Sequence, residues 1–191
     1  DDCIETEIHA VDYARANHFV LVPPYNDPAV VAGQGTIAVE VLDQVKSVDA
    51  VLAPVGGGGL ISGIAAYLKA VAPGISVIGC QPESSPVMYE SVRAGRIVSM
   101  ESQPTLADAT AGGIEPGSIT FDLCRRHVDE EIAAAIRLMH EHEEMVIEGG
   151  AALSVAAAVK LRKTLAGQRI VLIISGSKID DEVLARIMQS G

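Results

Sequence analysis

Short apolar runs alternate with longer segments of helical periodicity along most of this chain. The apolar runs predict strands at 18–22, 50–55, 76–81 and 169–175. They are hydrophobic throughout rather than at every second position, which is typical of strands covered on both faces. Helical spacing predicts helices at 29–46, 59–72, 85–95, 118–128, 131–146, 150–164 and 180–189. Another helix is predicted from the first residues onward, with Asp1 and Asp2 as N-cap candidates.

The alternation of strands and helices predicts an α/β fold with an open, mostly parallel sheet and helices on both faces. The longest loop-like region is 101–118, and loops of that length in compact α/β units usually line a site. One junction departs from the pattern. The predicted helix at 118–128 runs into the next through Asp129 and Glu130, where a parallel sheet should return a strand. We interpret this as either a tight helix–helix turn or a segment absent from the sequence.

Composition and charge argue against several classes of function. The core must be aliphatic, because 49% of the 191 residues are hydrophobic but only two Phe, four Tyr and no Trp occur. The formal net charge of −11 argues against a nucleic-acid partner. No apolar run approaches the roughly 18 residues of a membrane span. The three cysteines show no CxxC spacing, which favours a reduced, cytoplasmic compartment.

Four consecutive glycines, Gly56 to Gly59, separate a predicted strand from a predicted helix. Free N–H groups and a partial positive charge at such a helix start favour anion binding, and glycines let the backbone approach phosphate oxygens. A P-loop needs Lys and Ser/Thr after the last glycine, and Leu60-Ile61 stand there instead. No G-x-G-x-x-G spacing fits either. A nucleotide site using Glu83 as the ribose-binding acid and a glycine turn serving only packing both stay open.

The stretch "PVGGGGLISG" resembles the tetraglycine phosphate loop of fold-type II pyridoxal-phosphate enzymes, in particular the threonine/serine dehydratase and serine racemase family. Four further stretches are similar to that family in order and spacing, at 24–41, 106–130, 145–157 and 173–180. The match spans nearly the whole chain. It implies pyridoxal 5'-phosphate as cofactor and the large domain of such an enzyme, without its N-terminal part, as the fold.

The resemblance assigns roles to individual residues. It implies that the cofactor phosphate lies on backbone N–H groups of Gly56, Gly57, Gly58 and Gly59, with Leu60 opening the helix. Ser175 matches the partner of the pyridine nitrogen, and Gly112 and Gly113 would let a loop lie against the ring. Glu148 matches the active-site glutamate. Ser175 as the start of a turn, and Glu148 as an ordinary acid at a helix N-terminus, remain alternatives.

The sequence also departs from the family. Lys178 stands where the family usually has Asn, and Gly149 replaces a proline. Gln81 and Val87 occupy the places of the carboxylates that bind a cation in metal-dependent serine racemases, so no metal site is predicted. The cluster at 140–144 lacks the H-E-x-x-H spacing of a zinc protease, and a solvated helix face is the simpler interpretation.

The function implied by the resemblance is an ammonia-lyase (dehydratase) that converts L-threonine or L-serine to a 2-oxo acid. Serine racemase, another fold-type II β-elimination enzyme such as a hydroxyectoine-pathway dehydratase, and a non-catalytic phosphate-ligand or regulatory module are the alternatives. The family's Schiff-base lysine motif and substrate-carboxylate loop do not occur in this chain. We therefore expect residues 1–23 to be a remnant of the small domain and residues 24–191 the large one, from a longer, homodimeric or homotetrameric protein.

Overall fold

The computed structural model describes residues 3–134, 147–182 and 184–185. The helices are α1 (Cys3–Ala16), α2 (Pro28–Gln44), α3 (Gly59–Val71), α4 (Val87–Ala94), α5 (Ile119–His127) and α6 (Gly149–Lys160). The strands are β1 (Ala50–Pro54), β2 (Ser76–Pro82), β3 (Glu130–Ala134) and β4 (Ile170–Leu172), and a 3₁₀ turn spans Asp108–Thr110. None of the helices within these ranges is long and apolar enough to cross a bilayer.

The four strands form one parallel sheet in the order β3-β2-β1-β4. The chain adds β2 and β3 on one side of β1 and then places β4 on the other side. The carboxyl ends of β1 and β4 therefore form a switch point, the position at which open α/β sheets bind ligands. The predicted α/β class with a parallel sheet is confirmed.

The two faces of β1 bury different side chains. Val51 and Ala53 belong to the core that contains the apolar side of α3, including Ile61, Ile64 and Leu68. Ala50 and Leu52 belong to the core on the opposite face, which α6 covers with Leu153, Ala156 and Ala157. All five residues of β1 are buried, which explains why its sequence is apolar throughout instead of alternating.

Two glycines bring α2 and α3 into backbone contact. The α carbon of Gly63 lies so close to α2 that a side chain there would overlap the carbonyl oxygen of Val31 and approach the amide nitrogen of Gly35. The start of α2 is fixed by Asp27, whose carboxylate accepts hydrogen bonds from the amides of Ala29 and Val30 at 2.7 and 3.3 Å.

The predicted strand at 18–22 is wrong. These residues form no strand, and Val20 and Val22 are 93% and 74% exposed. An apolar run becomes a strand only when a neighbouring strand pairs with its backbone. No such neighbour lies among the residues that the structure describes.

The helix predicted at 131–146 is also wrong at its start, because Glu130–Ala134 is a strand that pairs with β2. Asp129 fixes this placement. Its carboxylate accepts hydrogen bonds from the Val77 amide at 2.6 Å and from Lys69 Nζ at 2.7 Å, and its own amide donates to Val77 O at 2.9 Å. The sheet therefore does return a strand at this junction. Residues 135–146, including the acidic and histidine cluster at 140–144, lie outside the described residues.

The remaining elements follow the predictions with shifted ends. The last strand is shorter than 169–175, although the Ile173 amide still donates to Leu52 O at 2.9 Å. The helix predicted near 180–189 falls largely outside the described residues, and its described part is helical at 181–182 and 184–185.

Gly63→Ala should destabilise the protein by about 3 kcal/mol, because the added methyl group overlaps α2 backbone that cannot move without shifting the helix. Gly74→Ala is the matched control, since a methyl group there meets nothing within 4 Å. Urea unfolding of both variants measures the difference. Equal stability of the two would contradict the close helix contact.

Candidate functional site

A cavity of about 350 Å³ opens at the switch point of the sheet. Its walls come from α1, the loop between β1 and α3, the 3₁₀ region, the start of α6 and the end of β4. The structure brings every residue that the sequence nominated for the cofactor site or for catalysis to this cavity, namely Gly56, Gly57, Gly58, Gly59, Leu60, Gly113, Glu148 and Ser175. They come from four separate parts of the sequence, the consecutive residues 56–60 and the single residues Gly113, Glu148 and Ser175, and their roles stay predictions.

The glycine loop presents free amides to the cavity. Gly58 is the N-cap of α3 in the left-handed conformation, with φ of 86°. The Ser62 amide bonds back to Gly58 O at 3.0 Å, whereas the amides of Gly56 to Leu60 donate to no acceptor within the described chain. These N–H groups and the positive end of the α3 dipole make this wall of the cavity attractive to an anion.

Tyr25 supports the glycine loop from the side of α1. Its ring packs where a side chain on Gly57 would otherwise lie, so this position accepts only glycine without rearrangement. The hydroxyl group donates to Glu7 Oε2 at 3.1 Å and accepts from the Glu115 amide at 3.0 Å. Burial, together with the carboxylate of Glu7, raises the pKa of Tyr25 well above its usual range. The side chain is therefore a neutral hydrogen-bond donor.

The loop at 107–113 packs against the glycine loop, since a side chain on Gly56 would meet the backbone of Thr110. Thr110 closes the 3₁₀ turn with a hydrogen bond from its hydroxyl group to Ala107 O at 2.8 Å. Gly112, with φ of 127°, donates its amide to Ser85 Oγ at 3.3 Å. Gly112 and Gly113 both line the cavity, so the loop presents backbone rather than bulky side chains to a ligand.

Glu148 and Ser175 occupy one wall. The Glu148 amide donates to Gly176 O at 3.4 Å, and its carboxylate packs against the Gly176 α carbon with no room for a side chain there. Ser154, on α6, donates to Ile173 O at 3.1 Å and so ties this helix to the strand that leads into Ser175. The carboxylate of Glu148 and the hydroxyl group of Ser175 thus line the same cavity beyond the end of β4.

The residues at the family's metal positions are used for structure. The Gln81 amide group donates to Val55 O at 3.2 Å and accepts from the Tyr89 amide at 2.7 Å, and both Gln81 and Val87 are buried. In the ranges that the structure describes, no three His, Cys, Asp or Glu side chains are grouped as metal ligands.

Glu83, the nucleotide candidate, pairs with Lys160 at 2.9 Å on the surface and does not line the cavity. This position argues against a ribose-binding role. The buried thiols belong to the core: Cys80 and Cys124 are buried and form no disulfide, and burial raises the pKa of Cys80 to about 12.

Sequence reasoning missed Glu7, Tyr25 and Thr110 as cavity residues. Tyr25 lies in a short loop between an apolar run and a capped helix, and nothing local distinguishes its ring from an ordinary loop tyrosine. Its position follows from contacts with residues as distant as Glu115, which only the folded chain brings together.

Comparison with known proteins is consistent with this geometry. Residues 1–176 match the family described as "Pyridoxal-phosphate dependent enzyme". The chain is 42% identical over 179 residues to an L-threonine ammonia-lyase of Thermotoga maritima. The aligned region covers 90% of this chain and 44% of that protein. Among solved structures, the processed form of threonine deaminase isoform 2 from Solanum lycopersicum is similar at a TM-score of 0.86 and 31% identity over 95% of this chain and 55% of the other. Maize serine racemase is similar at a TM-score of 0.83 and 28% identity, over 96% of this chain and 59% of the other.

The chain therefore belongs to the pyridoxal-phosphate-dependent enzyme family. Within it, the resemblance to the threonine/serine dehydratases and serine racemases, which are fold-type II enzymes, is confirmed. The chain spans about half the length of the relatives that it matches.

Gly58→Val should weaken binding of pyridoxal 5'-phosphate at least about tenfold, because a branched residue is strained at positive φ and its side chain would collide with Met88. Isothermal titration of the variant against the parent chain measures the loss. Gly33→Ala is the control, since a methyl group there meets nothing within 4 Å. Unchanged affinity of the Gly58 variant would assign the loop to packing alone.

Divalent cations should not change the thermal stability of the protein. Both the nitrogen and the oxygen of the Gln81 side-chain amide are hydrogen-bonded to backbone groups, and Val87 has no atom that can bind a metal. Thermal unfolding in millimolar Mg²⁺ and in chelator should give the same midpoint. A rise in the midpoint with Mg²⁺ that Gln81→Leu abolishes would contradict this expectation.

Proposed function

We propose that this chain forms the cofactor site of an ammonia-lyase that eliminates water from L-threonine or L-serine, after which hydrolysis of the enamine product returns a water molecule and releases ammonia and a 2-oxo acid. The observation that carries the proposal is the cavity itself, which the glycine loop, Glu148 and Ser175 all line. The similarity to the threonine ammonia-lyase of T. maritima supports the substrate class, a small hydroxyamino acid.

The residues present fit pyridoxal 5'-phosphate. No lysine or arginine is among the described residues that line the cavity, so the amides of Gly56 to Leu60 and the α3 dipole would meet the phosphate charge. The left-handed Gly58 and the side-chain-free surface of the loop let an anion reach these amides. Gly112 and Gly113 would lie along the cofactor ring.

Ser175 determines which chemistry the site favours. When bound, pyridoxal phosphate supplies the electron sink for loss of an α-proton and a β-hydroxyl group. Ser175 would be the partner of the pyridine nitrogen, and a hydroxyl group there would not keep that nitrogen protonated as a carboxylate would, so the electron sink would be weaker. This suits β-elimination and discourages transamination. Glu148 would accept a hydrogen bond from the ligand at the same wall.

The lysine that carries the cofactor would come from outside this chain. Lys69 pairs with Asp129 at 2.7 Å and Lys160 with Glu83, while Lys178 is exposed and does not line the cavity. We propose that residues 24–191 form the large domain and residues 1–23 a remnant of the small one, whose exposed apolar segment at 18–22 would pair with the missing part. A cytoplasmic homodimer or homotetramer is the corresponding assembly.

A serine racemase is the second candidate, favoured by the likeness to maize serine racemase. The structural use of Gln81 and Val87 favours the dehydratase over a cation-dependent racemase. Incubating the longer protein with L-serine and resolving the products separates the candidates, since a racemase yields D-serine and a dehydratase yields pyruvate and ammonia. A non-catalytic phosphate-binding module would yield neither.

Residues 1–191 alone should form no 2-oxo acid from L-threonine or L-serine, because one positioned lysine must both hold the cofactor and move the α-proton in this chemistry. Borohydride reduction should likewise leave no cofactor adduct on the chain. A coupled assay for 2-oxo acid tests the first expectation, and mass spectrometry after borohydride reduction tests the second. A reduced cofactor adduct on Lys178 with measurable turnover would refute it, and Lys178→Arg is the control for such an adduct.

A further inference from the structure

We infer that Thr120 is a positioning residue for the phosphate site: its hydroxyl group holds the Gly57 carbonyl so that the Gly58 N–H points into the cavity. The inference rests on the proposed function, in which the glycine loop binds the cofactor phosphate. Thr120 itself does not line the cavity. It acts through the peptide that it holds.

The hydrogen bonds around Thr120 have a defined direction. Thr120 is fully buried, and its Oγ1 donates to Gly57 O at 2.5 Å. A hydroxyl group has a single proton, and a carbonyl oxygen can only accept. Ser118 Oγ, which lies 2.7 Å from Thr120 Oγ1, must therefore be the donor in that contact. The bonds run from Ser118 to Thr120 to Gly57.

This chain of bonds orients the next amide. The described peptide bonds are all trans, and in a trans peptide the C=O and N–H groups point in opposite directions. Holding the Gly57 carbonyl toward α5 turns the Gly58 N–H away from α5, toward the cavity that both glycines line. Successive hydrogen bonds polarise one another, so the same chain increases the positive charge on that N–H.

The first turn of α5 is itself fixed, which makes it a suitable anchor. Asn26 Oδ1 accepts from the Ile119 amide at 2.9 Å and links α5 to the loop before α2. The Ser62 hydroxyl group, buried within α3, donates to Thr120 O at 3.5 Å. Thr120 is therefore held from two sides while its side chain reaches the glycine loop.

The test compares Thr120→Val, which keeps the shape and removes the hydroxyl group, with Thr120→Ser, which keeps the hydroxyl group. Phosphorus NMR titration of the full chain measures binding of pyridoxal 5'-phosphate, and absorbance measures binding of pyridoxal, which lacks the phosphate. Thr120→Val should weaken pyridoxal 5'-phosphate binding about tenfold and leave pyridoxal binding unchanged. Thr120→Ser should restore the affinity.

Ser91→Ala is the control for general loss of stability. Ser91 is also fully buried and hydrogen-bonded, to Val87 O at 2.6 Å, but lies away from the cavity. The affinity of the Ser91→Ala variant for pyridoxal 5'-phosphate should equal that of the parent chain. Should Thr120→Val not fold, Ser118→Ala removes the donor behind Thr120 and should give a smaller loss that again spares pyridoxal.

The outcomes separate this inference from the proposed function. If the parent chain binds no pyridoxal 5'-phosphate, the proposed cofactor site is wrong and the inference falls with it. If the parent chain binds but Thr120→Val binds equally well, or loses pyridoxal to the same extent, Thr120 has no positioning role and the cofactor site stands.

Discussion

The backbone N–H groups between β1 and α3 need hydrogen-bond acceptors, and the surrounding structure is arranged around this requirement. Gly56 to Leu60 leave their N–H groups without an acceptor within the described chain, at a position surrounded by buried backbone. Polar groups in such a place need a partner, and the fold opens them to a cavity rather than covering them. Tyr25 below the loop and Thr120 beside it hold the peptides in this orientation.

Sheet topology determines which segments meet these amides. Because β4 pairs with β1 on the side away from β2, the chain arrives at the glycine loop a second time, after more than a hundred residues. Ser175 follows β4, and α6 brings Glu148 to the same wall through the Ser154 hydrogen bond to Ile173. A binding site assembled from strand ends leaves the strands themselves free to form the core.

Electrostatics explains how an acidic protein could offer the anion site that we propose. The chain carries a formal net charge of −11, and no cationic side chain stands among the described residues of the cavity. In the site that we propose, attraction for an anion would therefore come from oriented peptide dipoles, which act over short distances and favour an anion that fits against the loop. Among the other polar residues that line the cavity, Ser175 is neutral, whereas Glu7 and Glu148 are acidic.

The sequence by itself determined the α/β class, the central strands and the glycine loop, because burial on both faces and helix initiation leave local patterns in composition and spacing. Ser175 and Glu148 could be identified as candidates only through resemblance to a family, since a single serine or glutamate carries no local signal.

Tertiary structure alone decided that 18–22 forms no strand and that Glu130–Ala134 does. Hydrophobic pattern shows that a segment is apolar, whereas a strand also needs a partner strand, which β2 supplies for β3 and nothing described supplies for 18–22. Tyr25 and Thr120 were missed for the same reason: their partners, Glu115 and Gly57, lie 90 and 63 residues away.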